Sequence, residues 1–356
     1  MTKRMTMSLR RVKITGLIAF WLALLFASGG GLAHAGAGRL VEENVVSPTL
    51  AANLLGDPGQ RAVTIYLPPR YDQEPQRRFP VVYLLHGFKA KNKLWTAPEF
   101  HLQEMVNDLI NRGVIQPLII VMPDGSNAYG GSFYLNSPVT GNWEDFIVQE
   151  LVGHIDEAYR TIPQASGRGL AGHSMGGYGA LMLALRHPET FGAVYALSPA
   201  CLDFTEHFLK LQRADLLAVA KLTRRDQFPA LGWREQVIIA VAAAVAPNPK
   251  KEPWLADLPL REKNGRVVLD QAVWETWLQS DPATLLPSYQ DNLSRLKLAL
   301  DMGTADRMLP QVQFISSSLK QLGIPHTFEE YDGDHGNRLR ERLQTRALPF
   351  LAGALQ

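Results

Sequence analysis

Gly169-Leu170-Ala171-Gly172-His173-Ser174-Met175-Gly176-Gly177-Tyr178 decides how the rest of the chain is read. A short apolar run leads into Ser174, and a helix-like stretch over residues 178–186 leads out. Gly172 and Gly176 flank the serine at the spacing of a hydroxyl carried on a sharp strand-to-helix turn. Such a turn lifts the side chain above the end of a sheet, and it needs glycine where no Cβ fits between strand and helix. Three fixed positions in five recur by chance. The weight comes from the strand–turn–helix context and from an acidic residue and a histidine placed further along in a suitable order.

Outward from this turn, apolar runs alternate with helical patterns, which argues for an α/β fold with a mostly parallel sheet covered on both faces. Residues 63–67, 81–85, 118–122, 192–197, 296–300 and 327–331 read as strands, and 102–110, 143–158 and 311–322 as helices. Val81-Val82-Tyr83-Leu84-Leu85 is a continuous apolar run, as expected of a strand buried on both faces. Between 203 and 294 the alternation stops. This segment reads as a helical insertion, with helical stretches at 208–221, 237–246 and 272–280 and breaks at Pro247-Asn248-Pro249 and Pro253. It is either a lid over the site or a surface elaboration. The run 237–245 is too short to span a bilayer and reads as a buried helix.

The 356 residues, 46% of them apolar, suffice for one large core. Lys3, Arg4, Arg10, Arg11 and Lys13 precede an apolar stretch, 14–27, and Ala33-His34-Ala35 fits a cleavage site. Residues 1–35 are therefore expected to be a signal peptide, with a mature domain over 36–356 that is secreted or periplasmic. Removing those five basic residues takes the formal charge from +2 to −3, so no basic-patch argument for nucleic acid or an anionic membrane survives. Cys201 is the only cysteine, so an intrachain disulfide is impossible.

A hydroxyl is a poor nucleophile at neutral pH, so Ser174 needs a base within hydrogen-bonding reach. Of nine histidines, His34 leaves with the signal, and His101, His154, His187 and His207 fall on or beside helices. His86 ends a strand, His326 begins one, and His173 abuts the serine but is expected to point elsewhere. His335 differs, because Asp332-Gly333-Asp334-His335-Gly336-Asn337 is a polar turn directly after the last strand. The acid that orients the base should follow strand 296–300, where Asp301 and Asp306 both qualify. Asp306, beyond Gly303, has room to turn back and is preferred; Asp301 ends the strand and is expected to organise the turn. Oxyanion donors are expected at the backbone amides of Met175 and of Phe88, the latter after Gly87.

These residues resemble the esterase D-like branch of α/β-hydrolases, which includes S-formylglutathione hydrolases, feruloyl and acetylxylan esterases and mycolyltransferases. The likeness rests on Tyr66-Leu67-Pro68-Pro69-Arg70-Tyr71, on 80–88, on Val121-Met122-Pro123-Asp124-Gly125, on Trp143-Glu144-Asp145-Phe146, on the Ser174 turn and on Gly333-Asp334-His335. It implies an α/β-hydrolase fold, Ser174 as nucleophile, Asp306 as acid, His335 as base, and Phe88 and Met175 as oxyanion donors. The expected activity is hydrolysis of carboxylic esters through an acyl-enzyme. The alternatives are an acyltransferase that passes the acyl group to a sugar or lipid alcohol, and a non-catalytic binding protein on the same scaffold. Lys89, Lys91 and Lys93 read as a solvated loop, and Phe133, Tyr134 and Trp143 as core residues, although they could stack on a sugar or an aromatic acyl group. No His/Cys/Asp cluster has zinc spacing and no glycine loop has phosphate-binding spacing, so neither a metal nor a cofactor is expected. The expected partner is a small-molecule or glycan-linked ester.

Overall fold

Eight strands form one sheet: β1 (Arg39–Val46), β2 (Gln60–Leu67), β3 (Val81–Leu85), β4 (Ile119–Pro123), β5 (Arg168–His173), β6 (Ala193–Leu197), β7 (Lys297–Gly303) and β8 (His326–Tyr331). Their order is β1-β2-β4-β3-β5-β6-β7-β8. β2 pairs antiparallel with β1 and β4, and every later pairing is parallel. This is the α/β-hydrolase fold. The computed structural model describes Met1 and residues 36–356, of which Ala37–Gln356 form one compact unit. The expected signal peptide, residues 1–35, lies outside the described residues but for Met1.

Alternation along the central strands builds two cores. Val81, Tyr83 and Leu85 of β3 join Ile119, Val121 and Leu170 on one face, while Val82 and Leu84 join Ile120, Met122 and Ala171 on the other. The first face is covered by α2 (143–158), α3 (Met175–Arg186), α5 (Leu309–Gln321) and segment 203–294. The second is covered by α1 (Leu102–Asn111) and α6 (339–354). α1 buries Leu102, Met105, Val106 and Leu109, a spacing that gives a helix one apolar stripe.

The predicted strands are present, with two differences. β1 was not anticipated; its residues RLVEENVV are only partly buried, because an edge strand has one neighbour and need not be apolar throughout. β7 continues through Asp301 to Gly303 rather than stopping before it. Asp301 does not organise a turn: its buried carboxylate accepts from Arg342 Nε (2.8 Å), the Tyr195 hydroxyl (3.0 Å) and the Ser198 amide (3.2 Å). Within 203–294, α4 (Trp233–Val245) is buried from Gln236 onward, and a largely exposed hairpin, Leu260–Lys263 with Arg266–Leu269, was not foreseen.

The sheet register sets the position of the site. Leu85 lies beside Gly172, His173 beside Leu197, Leu197 beside Asp301, and Gly303 beside Tyr331. The carboxyl ends of β3, β5, β6, β7 and β8 therefore reach one edge, and the loops that follow all open there. Open α/β sheets hold their ligands at this edge.

Candidate active site

Ser174 is the single residue between β5 and α3, with φ 57° and ψ −117°. Positive φ is costly for a residue with a Cβ, and the surroundings hold it. The Ser174 amide donates to Leu197 O (3.1 Å), and its carbonyl accepts from Tyr178 N (3.0 Å) and Ala200 N (3.2 Å). The flanking glycines are required by contact. A Cβ on Gly172 would lie 2.2 Å from Gly176 O, and one on Gly176 would lie 2.2 Å from Leu85 O. The helix start is thereby pressed against the strand ends, and the hydroxyl is left at the edge.

The His335 loop follows β8 and the Asp306 loop follows β7. Ser174 Oγ donates to His335 Nε2 at 2.9 Å, and His335 Nδ1–H donates to Asp306 Oδ2 at 2.6 Å. Asp306 Oδ1 accepts from the Met308 amide at 2.9 Å, so both carboxylate oxygens are engaged. Burial pushes the Asp306 carboxyl up, but the His335 hydrogen bond and charge, the Met308 amide and Arg307 together hold it below its ordinary value. The Asp306 side chain is 2% exposed, and that of His335 is 37% exposed. The proton-accepting end of the imidazole can thus meet a substrate while its partner stays dry. Asp301, the other acid considered from the sequence, is committed to Arg342. Asp334 caps its own turn, accepting from Gly336 N (2.9 Å) and Asn337 N (2.8 Å).

Met175 begins α3, so its amide has no acceptor one turn back. The Phe88 amide donates to no group among the described residues. Gly87 brings this loop against the serine: a Cβ there would lie 3.3 Å from Ser174 Cβ. His86 fixes the loop from below. Its Nδ1–H donates to Gly87 O (2.8 Å), its Nε2 accepts from Gly125 N (2.8 Å), and Tyr134 Oη donates to its carbonyl (3.1 Å).

His173 points away from the Ser174 hydroxyl, as expected, and makes a contact the sequence did not show. Its Nε2–H donates to the His335 carbonyl at 2.7 Å, tying the His335 loop to the strand that precedes Ser174. Burial, and then the neighbouring His335, push its pKa down to about 4, so it is neutral near pH 7. The sequence signal was only its place before Ser174. Of the aromatics considered, Phe133 lines the cavity, whereas Trp143 is buried, stacked under the Arg61 guanidinium at 4.5 Å. Lys93 pairs with Glu42 (2.6 Å), and Lys89 Nζ lies 5.4 Å from the centre of the Trp233 ring.

A cavity of about 530 Å³ opens over Ser174 and His335. Phe88, Phe133, Met175, Met308 and Val237 give it an apolar lining, and Trp233, 52% exposed, lies edge-on to Phe88 with ring centroids 5.1 Å apart. His207, Gln212, Trp233 and Val237 all come from segment 203–294, which therefore walls the cavity. Among the described residues no group of three or more His, Cys, Asp and Glu could hold a metal ion.

Comparison with known proteins gives the same architecture. A family model described as "Putative esterase" matches residues 58–341. An esterase of Mycobacterium tuberculosis is 33% identical over 194 residues, 50% of this chain and 39% of that protein. An endo-1,4-beta-xylanase/feruloyl esterase of Xylanibacter ruminicola is 30% identical over 135 residues, 37% of this chain and 18% of that one. The chain thus spans well under half the length of these curated relatives. Among solved structures, a ferulic acid esterase superposes with TM-score 0.61 at 22% identity, covering 90% of this chain and all of that one. An S-formylglutathione hydrolase from Agrobacterium tumefaciens gives 0.58 at 21% identity, covering 90% and 97%. A family match over most of the chain, on a fold shared with these enzymes, shows that this chain belongs to the putative esterase family, in the esterase D-like group of α/β-hydrolases.

Proposed function

We propose that this protein is an exported serine hydrolase of carboxylic esters, with Ser174 as nucleophile, His335 as general base and acid, and Asp306 as the orienting carboxylate. The observation that carries the reading is the unbroken hydrogen-bond chain from Ser174 through His335 to Asp306, at the floor of an apolar cavity. The names of the relatives, esterase and feruloyl esterase, support an ester as substrate. Export rests on the charge and apolar pattern of residues 1–35.

In the first half-reaction Ser174 Oγ bonds to the ester carbonyl carbon while its proton passes to His335 Nε2. The ionised Asp306 stabilises the imidazolium and holds Nδ1–H in place. The carbonyl electrons move onto oxygen, where the amides of Phe88 and Met175 receive the charge; one such donor is worth about 10²–10³ in rate. Collapse breaks the bond to the alcohol oxygen, which leaves with the proton from His335. Water then gives a proton to His335, attacks the acyl carbon, and the proton returns to Ser174 as the acid departs. With p-nitrophenyl acetate, Ser174→Ala is expected to lose turnover while retaining the wild-type unfolding midpoint. Undiminished turnover would refute the assignment.

A further inference from the structure

The turn that carries His335 makes most of its hydrogen bonds within itself. Asp334 Oδ1 accepts from Gly336 N and Asn337 N, and Asn337 Oδ1 accepts from Asp334 N at 3.0 Å. Among the described residues, one hydrogen bond of the 334–337 backbone reaches beyond the turn and the helix that follows it. It is the 2.7 Å bond from His173 Nε2–H to the His335 carbonyl. A carbonyl oxygen can only accept, so Nε2 carries the proton of this imidazole. The ring donates without a charge, since burial and the nearby His335 push its pKa down to about 4. The two imidazoles lie with centroids 4.9 Å apart, tilted by 46°. The same residue borders the loop that carries Phe88: a Cβ on Gly87 would lie 3.4 Å from His173 Nδ1 and 3.3 Å from its carbonyl oxygen.

We infer that His173 is a positioning residue: by holding the carbonyl of His335 it sets where that residue's imidazole meets the Ser174 hydroxyl. The inference rests on the esterase reading and deepens it. His335 is pinned on both sides of its Cα, at the carbonyl by His173 and at Nδ1 by Asp306 (2.6 Å), and Nε2 then stands 2.9 Å from Ser174 Oγ. Without the first anchor, the Asp306 bond and the Ala305 amide on Gly333 O (2.9 Å) remain. Both tie the turn to the loop after β7, and neither ties its backbone to β5, which carries the serine. A misplacement of about 1 Å between reacting groups is enough to cost on the order of 10²-fold in rate. The cavity lining does not include His173, so its replacement should act on the chemical step and leave substrate binding alone.

The test compares two replacements in the hydrolysis of p-nitrophenyl acetate. His173→Phe keeps a ring and removes the donor, whereas His173→Gln places an amide NH₂ near the position of Nε2. The phenylalanine variant is expected to lose kcat on the order of 10²-fold with KM little changed, and the glutamine variant to recover most of that loss. In a His335→Ala background, where no imidazole is left to position, His173→Phe is expected to cost nothing further. Urea unfolding midpoints check the fold. Should the phenylalanine variant be unfolded in the assay, His173→Asn, whose NH₂ falls short of the carbonyl, takes its place with the same expectations. Three results overturn the inference: wild-type kcat in the phenylalanine or asparagine variant, a glutamine variant as impaired as they are, or the same fractional loss with and without His335. In each of these the esterase reading stands as long as Ser174→Ala abolishes turnover. Turnover that survives Ser174→Ala takes down both.

Discussion

Replacing Asp306 by asparagine tests whether the Ser174–His335 hydrogen bond works because the acid fixes the imidazole tautomer. The substitution keeps shape and volume. The Met308 amide, 2.9 Å from Asp306 Oδ1, will hold the new carbonyl oxygen, which turns the new NH₂ towards His335 Nδ1. Two donors cannot face each other, so the imidazole must move its proton to Nε2, where it meets the serine hydroxyl with no lone pair to take a proton. The expected loss in kcat is on the order of 10⁴-fold, about 5.5 kcal/mol of transition-state stabilisation. KM should change little, because the cavity lining is untouched. The assay is steady-state hydrolysis of p-nitrophenyl acetate, with a urea unfolding midpoint as the control for folding. An asparagine variant within about tenfold of wild type in kcat would refute the tautomer argument.

Three further outcomes are expected. Asp301→Asn weakens the buried pair with Arg342, whose side chain is 7% exposed, and should lower stability by about 3 kcal/mol while the folded fraction retains turnover; loss of turnover without loss of stability would restore Asp301 as a candidate acid. Gly176→Ala forces a methyl group to within 2.2 Å of Leu85 O and should cost about 3 kcal/mol, read as a shifted urea midpoint; an unchanged midpoint would contradict the close packing of strand and helix. His173 and His207, held down to about 4 and about 3 by burial, stay neutral in the fold while the unfolded chain's histidines take up protons below about 6.5. The unfolded state therefore binds more protons as pH falls, so their contribution is complete above 6.5 and shrinks towards pH 4, by on the order of 2 kcal/mol each at pH 5. Asp281, raised to about 6 by burial, works in the opposite direction and offsets part of this. Equal urea midpoints at pH 7 and pH 5 in both wild type and His207→Gln would contradict it.

The central strands were legible because burial on both faces forces continuous apolar runs such as Val81–Leu85. β1 was not, because its edge position permits Glu42, Glu43 and Asn44 within a strand. The serine turn was legible because steric exclusion leaves glycine as the only choice at positions 172 and 176. The end of β7 was misread because a buried Asp301 is tolerated through donors distant in sequence, among them Arg342, 41 residues away. His173 went unrecognised for a related reason. Its contact depends on the His335 carbonyl, and only the folded sheet brings the two together.

Mass-spectrometric mapping of a fluorophosphonate adduct tests the active-site assignment most directly, since the probe reacts with a serine whose proton is taken by a neighbouring base. One adduct is expected, on the peptide carrying Ser174, formed by the wild-type protein and lost in His335→Ala. Modification at another serine, or equal labelling of Ser174 with the imidazole removed, would contradict it.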